Sequence, residues 1–173
     1  MREDLAASLP EKRWYALYTR SRHEKCIDLA LQKQGVESYL PLRKIKRRWS
    51  DRTVAVEEPF FKSYLFVKTH WEKSADVLKT KGAVKFVSVQ GRPLPVDEKV
   101  VDSIKNIFQS EIPVDPFPYL NVGERVFVRS GVFKDIEGFI IRKDSKKCRL
   151  VISIDALRAS MSVEVDSCLV EKV

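Results

Sequence analysis

Along the first 110 residues the apolar positions alternate between two periods. Arg13 to Thr19, RWYALYT, is a run of aromatic and aliphatic residues that predicts a strand. From Cys26 the period lengthens. Cys26, Ile27, Ala30 and Leu31 repeat at helical spacing, Ser21 and Glu24 stand at capping-box spacing before them, and Gly35 closes the predicted helix. Val36 to Leu42 and Tyr64 to Thr69 return to a strand pattern. Thr69 and Glu72 repeat the capping-box spacing, which predicts a short second helix stopping near Gly82. Val84 to Val89 predicts another strand, followed by a Gly91–Pro93 turn. Asp97 then caps an amphipathic helix with Val100, Val101, Ile104, Ile107 and Phe108 on one side.

The pattern breaks at QSEIPVDPFPYLN. Pro113, Pro116 and Pro118 favour an extended strut over a helix or an inner strand. Beyond it, RVFVRSG, GFIIRK, CRLVISI and MSVEV are short β-branched runs, separated by Gly, Asp, Ser and Lys, and they predict a small barrel. Gly123, Gly131 and Gly138 read as turns between its first strands, where glycine permits positive φ. The fold class is α+β: an N-terminal α/β sandwich, with flanking helices on an antiparallel sheet, followed by a small β-barrel. The expected organisation is a flexible N-terminus over residues 1–12, a first domain at 13–109, a linker at 110–119 and a barrel at 120–173.

Composition narrows the class. With 44% hydrophobic and 32% charged residues the chain is built to fold, and no apolar run reaches the ~20 residues that span a bilayer. The N-terminus has no signal-peptide pattern, so a cytoplasmic, non-membrane protein is expected, and a monomer. Cys26, Cys148 and Cys168 are odd in number and widely spaced, which suggests reduced thiols and neither a disulfide nor a metal site. His23 and His70 are too isolated for a triad or a metal. With no phosphate-binding glycine loop and no nucleophile beside a base, neither an enzyme nor a bound cofactor is expected.

The formal charge of +8 attracts polyanions, nucleic acid being the commonest. It is concentrated early: 22 basic against 16 acidic residues precede Tyr119, and 10 against 8 follow. Arg20, Arg22, His23 and Lys25 gather at the first helix start, where guanidiniums and free N–H groups can hold a phosphate or read a base edge. Arg43, Lys44, Lys46, Arg47 and Arg48, with Trp49, suit a hairpin lying along a nucleic-acid backbone. The helix-start group reads equally as solvated surface, and for the hairpin run a solvated hairpin is the more ordinary reading. Within the strand at 64–69, Tyr64 and Phe66 share one face, Leu65 and Val67 the other. The second pair suits a core, leaving Tyr64 and Phe66 on an outer face, with Phe61 just before the strand and Tyr18 able to join them. Composition alone favours these aromatics filling the domain's own core.

RWYALYTRSRHEK, EEPFFKSYLFV at Glu57 to Val67, VGERVFVRSGVFKDIEGFI and RASMSVEVDSCLVEKV follow one another in an order and spacing that resembles the NusG family of transcription elongation factors along nearly the whole chain. The last two look like a KOW motif and the closing strands of its SH3-like barrel, and the first domain looks like the family's NGN domain. TRSRHEK, YLPL and KRRWSDR look more like the specialised relatives, RfaH and the UpxY-type antiterminators of Bacteroidetes, than the housekeeping factor.

The resemblance implies an aromatic patch of Tyr18, Phe61, Tyr64 and Phe66 that clasps the β′ clamp helices of RNA polymerase. It implies that Arg20, by matching position, faces the non-template DNA strand. Lys62-Ser63 stands where NusG usually has Pro-Gly, which alters the turn into the strand. The His-Thr-Thr stretch that RfaH turns toward the polymerase β subunit is replaced by Ser74-Ala75-Asp76-Val77, so no residue carries that contact over. In the barrel, Ala156-Leu157-Arg158 replaces a Phe-Gly-Arg stretch. Only Arg158 survives, which leaves the ribosomal protein NusE as a partner to consider and argues against Rho. RfaH's barrel can refold to helices; Val126, Val128, Ile140, Ile141, Val151, Ile152 and Ile154 here favour strands. The function implied is antitermination at specific operons. The alternatives are a KOW-type RNA-binding or ribosome-associated protein, and the housekeeping factor.

Overall fold

The computed structural model describes residues 11–48, 52–110, 112–118, 123–131, 133–143, 146–166 and 169–173. Most of the N-terminal segment expected to be flexible, together with Trp49 and Cys168, lies outside them. The first layer is an antiparallel sheet in which β1 (Arg13–Thr19) is central. After α1 (Glu24–Lys33) come β2 (Glu37–Tyr39) and a hairpin of β3 (Leu42–Arg48) and β4 (Thr53–Pro59) that forms its own two-stranded sheet. β5 (Tyr64–Thr69) then pairs with both β1 and β2. α2 (Ser74–Leu78) leads to β6 (Ala83–Phe86), the small β7 (Ser88–Val89) and β8 (Arg92–Pro93), and β9 (Pro95–Val96), before α3 (Glu98–Gln109). The sheet order is β2-β5-β1-β6, with β9 also on β1.

Strand alternation divides the sheet residues between two cores. Tyr15, Leu17, Leu65 and Val67 pack under α1 and α2 with Ile27, Leu31 and Val77. Trp14, Ala16 and Phe66 face the other way, into a cluster with Val101, Ile104 and Ile107 of α3. The Asp97 cap is as predicted: its carboxylate accepts from the Lys99 N–H at 2.9 Å. The two capping boxes are not formed. His23 precedes α1 with no side-chain cap, and Glu24 turns inward instead. Likewise Thr69 ends β5, a 3-10 turn at Trp71–Lys73 follows, and α2 is only five residues long. Strand β2 is shorter than predicted, because the chain leaves the sheet at Leu40 to build the hairpin.

The second body is a curled six-stranded antiparallel sheet. β10 (Asp115–Pro118), β11 (Glu124–Val128), β12 (Glu137–Lys143), β13 (Lys147–Ile154), β14 (Ala159–Asp166) and β15 (Val170–Lys172) take the order β10-β14-β13-β12-β11-β15. The proline segment read as a linker thus supplies an edge strand, a sheet position that tolerates proline's missing donor. Val126, Val128, Leu150, Ile152, Met161 and Val163 are buried inside. Gly123 and Gly131 have positive φ, as expected of turns, whereas Gly138 lies within β12 opposite Val126 and has no positive φ. Helix α3 lies between the bodies: its Ile104 and Ile107 border a cavity of ≈ 670 Å³ whose far wall is Ile136, Phe139 and Ile152 of the barrel. No helix among the described residues is long and apolar enough to cross a membrane.

Candidate functional site

Tyr18 and Tyr64 are direct partners across β1 and β5, with ring centroids 5.3 Å apart and planes tilted by 55°. Both are half-buried, so each presents part of its ring to solvent. Two residues along β5, Phe66 is 0% exposed, and Phe61 is 5% exposed. These two do not reach an outer face. They contact edge to face at 6.3 Å, Phe60 contacts Phe61 at 4.9 Å, and Phe108 of α3 contacts Phe60 at 5.2 Å. Tyr39 stacks on Phe66, and burial pushes its hydroxyl up to about 12. The predicted patch is therefore layered: a tyrosine pair at the surface and a phenylalanine floor beneath α3. Alternation along β5 foretold which residues share a face, but not that a helix covers half of it.

Beside the tyrosines, three turns meet. Thr19 N–H donates to the Ser63 carbonyl at 2.9 Å, and Arg20 N–H donates to the Gly82 carbonyl at 2.9 Å. The carboxylate of Glu24 accepts from Ser63 N–H at 2.7 Å. Ser63 has φ +64, the left-handed region that favours glycine, and the hydrogen bonds at its N–H and carbonyl hold it there. His23 is half-buried against Gly82, where a Cβ would lie 2.8 Å from its ring, and its Nδ1 lies 3.1 Å from the Ser21 carbonyl. This packing makes His23 a spacer between turns. Arg20, Arg22, Lys62 and Lys81 are exposed around the same corner. Lys62 and Lys81 escaped sequence reasoning because only the fold brings their turns to the start of α1.

The hairpin treats its cations unequally. Arg43 Nη2 reaches Glu58 at 2.5 Å and Arg47 Nη2 reaches it at 3.1 Å, which holds the Glu58 carboxyl below its usual range, Arg43 being the main cause. Lys44 is exposed on the opposite face, across from Glu57. Lys25 donates from Nζ to the Glu57 carbonyl at 2.8 Å, tying the start of α1 to the hairpin. In the barrel Arg158 is exposed and follows a 3-10 turn with φ +48, while its neighbour Leu157 is 4% exposed and belongs to the core.

A family model described as transcription termination factor NusG matches residues 12–105, the stretch that contains the tyrosine pair, the three turns and the hairpin. The chain belongs to the NusG family. The transcription termination/antitermination protein NusG of Vibrio vulnificus is 28% identical over 180 residues, covering 95% of this chain and 97% of its own. The protein of that name in Escherichia coli K12 is 28% identical over 185 residues, covering 94% and 97%. A solved structure, "Domain interaction in Thermotoga maritima NusG", superposes with a TM-score of 0.57 over 94% of this chain and 98% of that one, at 24% identity. NusG relatives thus span both bodies, and the sandwich-plus-barrel arrangement is the one this fold shares.

Proposed function

We propose that this NusG-family protein is an elongation and antitermination factor that docks on the β′ clamp helices of RNA polymerase and suppresses pausing and termination at specific operons. The observation that carries the reading is the Tyr18–Tyr64 pair, half-exposed above a rigid floor of Phe61 and Phe66. Two planar amphipathic rings fixed by a sheet lose little rotamer entropy on binding and can anchor a helical partner. The exposed Arg20, Arg22, Lys62 and Lys81 beside them suit the non-template strand of the open DNA, where cations set position and an arginine can read a base. The action is mechanical: docking on the clamp helices holds the cleft closed and keeps polymerase in its elongating form. Arg158 is the contact proposed for a second partner on the barrel, with NusE the partner the family resemblance implies.

A polymerase pull-down with wild type and a Tyr18→Ala/Tyr64→Ala double variant tests the docking. Retention by wild type and loss by the variant supports it; equal retention, or none by wild type, sinks it. Read-through assays on templates with and without a candidate leader then test operon specificity.

A further inference from the structure

The β3–β4 hairpin is a two-stranded ribbon whose two faces carry different chemistry. On one face Arg43 and Arg47 close on Glu58, beside the half-buried Ile45, Val54 and Val56. On the other, Lys44, Lys46 and Arg48 follow one another at alternate positions of β3, all exposed, opposite Glu57, Ala55 and Thr53. We propose that this outer row binds the phosphate backbone of duplex DNA without regard to base sequence.

Alternate residues of a strand stand about 6.8 Å apart, so the row presents a straight line of charge at regular intervals. Soluble surfaces usually intersperse the two signs, but among the described residues of this face three cations stand with one carboxylate. The residues opposite Lys46 and Arg48, Ala55 and Thr53, are short, so a polyanion can approach both cations closely. A two-stranded ribbon fits the major groove of B-DNA, about 12 Å wide, whereas the A-form groove of duplex RNA is deep and narrow. Lysine is a point charge with no acceptor, suited to holding a backbone and not to reading bases. Lys25, bound to the Glu57 carbonyl, connects the hairpin to the start of α1, where Arg20 and Arg22 are exposed. The choice of DNA rests on reading the chain as a factor that works over a DNA template; the chemistry of the row does not depend on clamp docking.

The test is anisotropy of a short labelled DNA duplex titrated with the full chain over a salt series, without polymerase. Lys44→Gln/Lys46→Gln/Arg48→Gln is expected to weaken binding and to flatten the log–log salt slope by about 3, one for each cation removed. A control that removes the same charge elsewhere, Lys33→Gln/Lys73→Gln/Lys79→Gln, is expected to change it by less than about 1. The charge-keeping Lys44→Arg/Lys46→Arg/Arg48→Lys variant is expected to retain the wild-type slope, which separates charge from folding. Equal slopes for the Gln triple and the control overturn the proposal, as does absence of wild-type binding at low salt. Equal or tighter binding to the matching RNA duplex overturns the assignment to DNA. A polymerase pull-down with the hairpin triple reports on docking separately, since Tyr18 and Tyr64 are intact in it.

Discussion

The Glu24 carboxylate holds the Ser63 backbone N–H at 2.7 Å, joining the first turn of α1 to the turn that feeds β5 across 39 residues of sequence. Glu24 is only 4% exposed, so the bond is made out of reach of bulk solvent. A hydrogen bond to a buried charged acceptor contributes about 1.5–3 kcal/mol, and Glu24→Ala is expected to lose that much stability in urea unfolding. Ser63→Gly is expected to act in the opposite direction. It relieves a left-handed backbone at φ +64 and should add about 0.5–1 kcal/mol, since the loss of strain exceeds the added chain entropy. If Ser63→Gly destabilises, the turn is held by its side chain and not by its backbone.

The layering of the aromatic site separates stability from binding. Phe66→Ala empties a fully buried position under α3 and is expected to cost about 3–5 kcal/mol. Tyr18→Ala and Tyr64→Ala remove half-exposed rings and are expected to cost about 1 kcal/mol each. Thermal melts of the three variants, beside their polymerase retention, check the division. A Tyr18→Ala/Tyr64→Ala chain that melts as low as Phe66→Ala would place the tyrosines in the core.

Local patterns were legible in the sequence where their causes are local. The alternation that divides Tyr64 and Phe66 from Leu65 and Val67 survives in the two cores, and Asp97 caps α3 as its spacing foretold. The misreadings are long-range. Ser21 and Glu24 have the spacing of a capping box, but the partner of Glu24 is Ser63. Arg43, Lys44 and Arg47 form one basic run in sequence, yet the pleat sends Arg43 and Arg47 to Glu58 and Lys44 to the other face. Lys62 and Lys81 belong to the basic corner only because the turns around Ser63 and Gly82 meet Thr19 and Arg20.

The Glu58 pairings make the hairpin pH-sensitive in a defined sense. Arg43 and then Arg47 hold its carboxyl below the ordinary value of about 4.3. A carboxylate depressed in the folded state contributes its stability above the unfolded value, and loses it as pH falls through the lower folded one. Glu58→Gln is therefore expected to melt below wild type at neutral pH, with the gap closing in acid below about 4.3. Melting both proteins across that range checks it, and a gap that stays constant with pH would remove Glu58 as its source.

Gly138 offers a test of packing within the barrel that the turn reading of this glycine would have missed. A Cβ at this position would lie 2.6 Å from the Val151 carbonyl oxygen and 2.8 Å from Cδ1 of Leu150. Leu150 is fully buried, and the β12–β13 pairing holds the Val151 carbonyl, so neither neighbour can withdraw cheaply. Gly138→Ala is expected to cost about 1–3 kcal/mol by overpacking. Gly91 supplies the contrast. It has φ +76 but nothing within 4 Å of its added Cβ, so Gly91→Ala meets only backbone strain, about 1 kcal/mol. Urea unfolding of the full chain distinguishes the two: Gly138→Ala should shift the barrel's transition and Gly91→Ala that of the first body. A neutral Gly138→Ala would mean that β12 and β13 separate more readily than their register implies.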